Sequence, residues 1–175
     1  MYLTKYSRPD IANPVQEMTR HVQKPSRAAY KELKRLVKFV LDTRDFGLKF
    51  KPKIPEDVWK WDMVMYSDSD WASAKDTRNS ITGFILFVLD CPVIWRSRQQ
   101  PVILLSLSEA KTYALSEAAK EIAFVYQLLM TMGIETELPI ICRVDNMGAI
   151  LIAENINTKA KTKHIDLRTK YVTVL

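Results

Sequence analysis

Glycine and cysteine are scarce in this chain of 175 residues, at four and two copies. With so few glycines, and eight prolines, no stretch reads as a low-complexity linker. Cys91 and Cys142 lie far apart in apolar surroundings. They make no C-x-x-C pair and no zinc-ligand spacing with His21 or His164. They read as two buried, reduced thiols, which excludes a disulfide scaffold and points to an intracellular setting, cytoplasmic or nuclear. No apolar run approaches the ~20 residues that cross a bilayer. The start, Met1-Tyr2-Leu3-Thr4-Lys5, lacks the apolar core of a signal peptide, so no membrane partner is expected.

What is present fits a globular domain with a modest extension: 47% apolar and 26% charged residues. The net charge of +6 is unevenly placed. Residues 1–53 hold 13 Lys/Arg and five Asp/Glu, a net of +8, so the remainder carries −2. A basic segment beside a mildly acidic domain points to a polyanion-binding arm, next to a domain that keeps carboxylates for another use. The bland alternative is a solvated basic helix.

The pattern along the chain predicts its elements. Residues 1–13 read as loop. A short helix is expected over 14–22, with Pro14 in its first turn. Ser26 is a fitting N-cap for a helix to about Thr43. Its apolar residues Leu33, Leu36, Val37, Val40 and Leu41 fall at helical spacing, opposite Lys31, Lys34, Arg35 and Lys38. A linker over 54–62 follows. Strands are expected at Met63–Ser67, Ile81–Leu89 and Val93–Ser97, with a turn at Asp90-Cys91-Pro92. Ser108 to Met132 reads as a long helix with an apolar stripe of Ala114, Ala118, Ile122, Val125, Leu129 and Met132, closed by Gly133. A strand over Ile140–Val144 and a short helix over Met147–Ala153 complete the order. Three antiparallel strands followed by helix, strand and helix make an α/β fold with a mixed sheet.

Two strands run into acidic residues, the first at Asp68 with Asp70 beyond, the other at Asp145. Ligands gather beyond strand C-termini in such sheets. Two carboxylates brought together there repel unless a cation lies between them, and Mg²⁺ suits such a place. Taken singly, each Asp is read more readily as a strand-end turn or helix cap, and spacing alone does not settle the pair.

The blocks around these acids carry a resemblance. Tyr66-Ser67-Asp68-Ser69-Asp70-Trp71-Ala72 resembles the Y-S-D-A-D-W-A block of copia-type ribonuclease H domains. Asp76-Thr77-Arg78-Asn79-Ser80-Ile81-Thr82-Gly83-Phe84 is similar to their D-x-R-K-S-T-S-G-Y. LSLSEAKTYALSEAAKE, from Leu105 to Glu121, resembles L-S-S-T-E-A-E-Y-I-A-L-S-E-A-A-K-E. Arg143-Val144-Asp145-Asn146 and Thr162-Lys163-His164-Ile165-Asp166-Leu167-Arg168 keep two further blocks. Upstream, Tyr2 to Ala12 resembles the Y-L-T-x-x-R-P-D-I-A segment that ends the polymerase of the same retrotransposons. Several long blocks in one order are far more specific than any single motif.

The resemblance implies a polymerase C-terminal helical segment over 1–53 and a ribonuclease H-like domain over 63–175. It implies cleavage of the RNA strand of an RNA–DNA hybrid, with carboxylates holding two Mg²⁺ ions. The remaining reverse transcriptase is the implied protein partner. Asp68 and Asp145 align with two metal-binding acids. Arg78, Arg96 and Arg98, with Lys34, Arg35 and Lys38, are candidate phosphate contacts, so binding is expected to weaken with salt. Lys111 stands where the resemblance implies a metal-binding Glu, and its ammonium would compete with Mg²⁺. Glu109 is the remaining catalytic candidate, but two residues are ~200° around a helix, which turns it largely away. A fourth acid is expected after a further strand, and Leu175 comes before such a segment. An exposed edge and lower stability are the expected consequences. The expected activity is therefore weakened or lost, and the alternatives are a non-catalytic nucleic-acid-binding module or an inert fragment of a decayed element.

Overall fold

A computed structural model describes residues 2–53, 60–71 and 78–145. The anticipated helix over 147–153, the His164 block and the region of the expected fourth acid lie outside the described residues.

The N-terminal region is helical almost from its start. Helix α1 spans Tyr2–Tyr6, a single 3-10 turn spans Pro9–Ile11, and α2 spans Ala12–Thr19. The loop expected over 1–13 is therefore corrected, and α2 begins two residues before Pro14. The reason is tertiary. The guanidinium of Arg8 is buried and grips Asp10 in a two-pronged ion pair, Nε to Oδ1 at 2.9 Å and Nη2 to Oδ2 at 2.8 Å. It also donates to the carbonyl and hydroxyl of Thr43, at 3.0 and 2.8 Å, at the end of the next helix. Helix α3 spans Arg27–Asp42 and begins where expected, with the Ser26 hydroxyl accepting from the Ala29 N–H at 3.1 Å. No residue of α3 is buried. Its apolar side instead forms, with α1 and α2, the wall of an apolar groove of about 590 Å³.

The sheet is built from β2 (Met63–Asp70), β3 (Ile81–Val88), β4 (Cys91–Gln99) and β6 (Ile141–Val144), in the spatial order β4-β3-β2-β6. The first three pair antiparallel and β6 runs parallel to β2. The mixed α/β fold expected from the strand and helix order is thus observed. The β3–β4 turn falls at Leu89 and Asp90, both at positive φ (50° and 62°), rather than at Asp90–Pro92. Two residues with φ > 0 match the right-handed twist of a hairpin. Pro92 then pairs with Phe87 on the outer strand, where a missing N–H is tolerated.

Helix α4 (Leu107–Thr131) returns the chain across one face of the sheet. Ala118, Ile122, Val125 and Leu129 pack on Met63, Met65, Phe84, Leu86 and Val88 to form the core. Met132, counted in the stripe, is exposed at the helix end. Gly133, at φ 77°, closes the helix: its N–H donates to the Met130 carbonyl and the Ile134 N–H to that of Leu129. A pair of short parallel strands, β1 (Lys60–Trp61) and β5 (Glu135–Thr136), was not anticipated, and it takes Lys60 and Trp61 out of the expected linker. Cys91 is buried as expected, whereas Cys142, expected to be buried, is exposed on β6, an edge strand among the described residues.

Candidate functional site

The site grows out of the register of β2 and β6. Ser67 pairs with Val144, so Asp68 and Asp145 follow at the next rung of two adjacent parallel strands, spaced by ~4.8 Å. On β2 the buried residues Met63, Met65, Ser67 and Ser69 alternate with exposed Tyr66, Asp68 and Asp70. Both aspartates at 68 and 70 thus stand on the face turned away from the core, because successive strand side chains alternate. The strand runs on through Asp70 and does not stop at Ser67, since Ser69 and Asp70 still pair with Thr82 and Ile81.

Lys111, in the first turns of α4, joins the two acids. Its Nζ donates to Asp145 Oδ1 and lies 3.2 Å from Asp68 Oδ1. The lysine side chain is only 8% exposed, while those of Asp68 and Asp145 are 69% and 66% exposed. Burial pushes the ammonium pKa down, but hydrogen bonds to Asp145 and Asp68 and their charges outweigh it, so the net shift is upward. Lys111 therefore stays protonated through the neutral range and places a fixed positive charge between the carboxylates.

Glu109 does something else. The Ser106 hydroxyl caps α4 by accepting from the Glu109 N–H at 3.2 Å, and the Glu109 carboxylate accepts from the Leu105 N–H at 3.0 Å. This is a variant of the reciprocal Ser-x-x-Glu cap. The carboxylate is thereby committed to the helix start. Among the described residues no three His, Cys, Asp or Glu side chains come together as a metal-binding group. The motif tryptophan also has a positioning role: Trp71 Nε1 donates to the Leu104 carbonyl at 3.1 Å, tying the end of β2 to the loop that leads into α4.

Beside the aspartates, a groove of about 700 Å³ lies on the outward face of the sheet. Tyr66, Asp68, Asp70, Gly83, Arg143 and Asp145 line it, with Asn13 of α2 on its rim. Arg143 belongs to the block that ends in Asp145-Asn146 but is not among the candidate contacts. It lies two residues before Asp145 and so shares its face, with its guanidinium 5.6 Å from the Tyr66 ring centre. The candidate phosphate contacts are scattered. Arg96 pairs with Glu121 of α4 at 2.9 Å and lies over the Phe84 ring. Arg98 sits near it, by Gln100 and Glu117. Arg78 is exposed just before β3 at φ 56°. Lys34, Arg35 and Lys38 are exposed on α3, with Lys34 over the Tyr30 ring and Arg35 paired to Glu32. The structure brings together Asp68, Asp145 and Lys111, and of the candidate phosphate contacts Arg96 lines the groove beside the two acids while Arg78, Arg98 and the α3 residues do not.

No family model matches the chain. Among curated proteins it is 26% identical over 167 residues to the retrovirus-related Pol polyprotein from transposon RE2 of Arabidopsis thaliana, covering 95% of this chain and 11% of that protein. It is 29% identical over 173 residues to the corresponding polyprotein from transposon TNT 1-94 of Nicotiana tabacum, covering 98% of this chain and 12% of that one. The chain belongs to the copia-type retrotransposon Pol polyproteins. It spans about a tenth of the length of these curated relatives. A further relative, the secreted RxLR effector protein 161 of Plasmopara viticola, is 33% identical over 121 residues, covering 69% of this chain and 82% of that protein. Against these Pol polyproteins the alignment takes in both the helical N-terminal region and the sheet, so the two are parts of one polyprotein segment. Among the described residues no helix is long and apolar enough to cross a membrane.

Proposed function

We propose that this polyprotein segment is a ribonuclease H-like domain, preceded over residues 1–53 by the helical end of a reverse transcriptase, and that it binds RNA–DNA hybrid while cleaving it poorly or not at all. The observation that carries this reading is the Asp68–Lys111–Asp145 arrangement. The two acids stand at neighbouring positions of adjacent parallel strands, Asp68 within β2 and Asp145 just past β6, but an ammonium lies between them. Two Mg²⁺ ions need a cluster of carboxylates and room for their waters. The described residues do not fit that requirement: two carboxylates share one lysine, and Glu109 is engaged at the helix cap.

Hybrid binding on this reading rests on shape and phosphate contacts. The groove beside Tyr66 and Arg143 supplies an aromatic face and a cation. Arg78, Lys34 and Lys38 are exposed and can reach phosphates, whereas Arg96 would first have to leave Glu121. The test is incubation with a labelled RNA–DNA hybrid, with Mg²⁺ and with a chelator. Salt-dependent binding without cleavage is the expected result. Metal-dependent cleavage that disappears in Asp68→Asn would overturn the non-cleaving part, and absence of both would leave an inert remnant.

A further inference from the structure

We propose that Lys111 acts as a tethered internal cation that replaces a divalent ion in holding β6 to β2. This rests on the reading above for the ancestry of the site, but its argument is local. Asp68, still within β2, and Asp145, just past the end of β6, lie at the same rung, one step beyond the last pairing of the two strands between Ser67 and Val144. β6 is only four residues long, Ile141–Val144, and its outer edge has no neighbour among the described residues. Its end is where the ladder would fray first, and like charges placed there repel. The ammonium bonds both carboxylates from a nearly buried stem. That stem is fixed by α4, whose first turns are held by the Ser106 cap, the Glu109–Leu105 bond and the Trp71–Leu104 bond. One covalently attached charge thus links β2, β6 and α4.

Three consequences follow from the chemistry. The positive charge occupies the space a divalent ion would use, so the intact site excludes Mg²⁺ and Mn²⁺. Removing the ammonium leaves two unpaired carboxylates that attract such an ion. Replacing it with a carboxylate adds a third ligand and changes the site charge by two.

The test uses the full chain, with Mn²⁺ as the probe, and compares the wild type with Lys111→Met and Lys111→Glu by thermal unfolding and calorimetric titration. The wild-type Tm is expected to be the same in Mn²⁺ and in chelator. Lys111→Met should melt lower in chelator and recover part of the loss in Mn²⁺. Lys111→Glu should bind Mn²⁺ on the order of tenfold or more tightly than the wild type, since affinity follows the number of charged ligands. An unchanged Tm for Lys111→Met in chelator, or a wild-type Tm that rises with Mn²⁺ as much as that of Lys111→Glu, would overturn the proposal. If neither variant folds, the wild type is titrated beside Asp68→Asn/Asp145→Asn. Equal, weak Mn²⁺ binding by the two supports the proposal and tighter binding by the wild type refutes it. Hybrid binding measured on the same samples keeps the two readings apart. Its absence from the wild type sinks the ribonuclease H-like reading and leaves the metal result standing.

Discussion

Helices α3 and α4 both carry an apolar stripe at helical spacing, yet the chain treats them differently. α4 lays Ala118, Ile122, Val125 and Leu129 on β2 and β3, and these side chains are buried. α3 buries none of its residues, and Leu33, Val37 and Leu41 remain exposed. Periodicity thus identifies a face that can be covered, but only the neighbours in the fold decide whether it is. The two helices also differ in charge. α3 carries Lys31, Lys34, Arg35 and Lys38 outward, whereas α4 turns Lys111 inward and uses it as part of the site.

The sharpest way to break this contrast is to truncate a side chain buried beneath α4 and side chains on the apolar face of α3. Leu86→Ala, beneath α4, should cost about 2–5 kcal/mol, as expected for a fully buried leucine. Chemical denaturation would show it as a lower midpoint with an unchanged slope. Ser106→Ala should cost about 1 kcal/mol through loss of the α4 cap, with fraying confined to the helix start in hydrogen exchange. Leu33→Ala and Val37→Ala should change stability by no more than about 0.5 kcal/mol, because neither side chain is buried. A loss of the Leu86→Ala size at Leu33 would mean that something covers α3 in solution.

Acid sharpens the comparison from another side. Asp10 is held below the usual carboxylate range, chiefly by its hydrogen bond from Arg8. A depressed folded-state pKa contributes stability above the unfolded value of about 3.9, and this is lost as pH falls through the lower folded value. The N-terminal helices should therefore loosen below about pH 4. Asp10→Asn should flatten that acid slope, read as Tm against pH, without altering the α4 region. An unchanged slope would remove the Arg8–Asp10 pair from the account of how α1, α2 and α3 are joined.

Much of this architecture was legible in the residues, and the failures have physical causes. The bounds of α3 and α4 came close because Ser26, Thr43 and Gly133 punctuate them through local capping. The hairpin strands were visible as apolar runs. α1, β1 and β5 were not, because elements of two to five residues are set by distant partners such as Arg8 with Thr43 and Trp61 with Glu137. At the site, Asp68 and Asp145 could be read from strand ends, and Lys111 as an intruder between carboxylates. The cap role of Glu109 is also present in the sequence as Ser106-x-x-Glu109, a signal that competes with the catalytic role expected of that residue. Arg143 could have been found by counting two residues back from Asp145 along the strand. Where Arg78, Arg96, Arg98 and the α3 basic residues lie relative to the acids could not be foreseen, since periodicity tells which residues share a face of one element but not how separate elements are placed against one another.

Crystals of the wild-type chain grown or soaked with Mn²⁺, with anomalous data recorded, test the central claim most directly. The account predicts a Lys111 ammonium between Asp68 and Asp145 and no anomalous peak there. A peak bridging the two carboxylates, with Lys111 turned away, would contradict it.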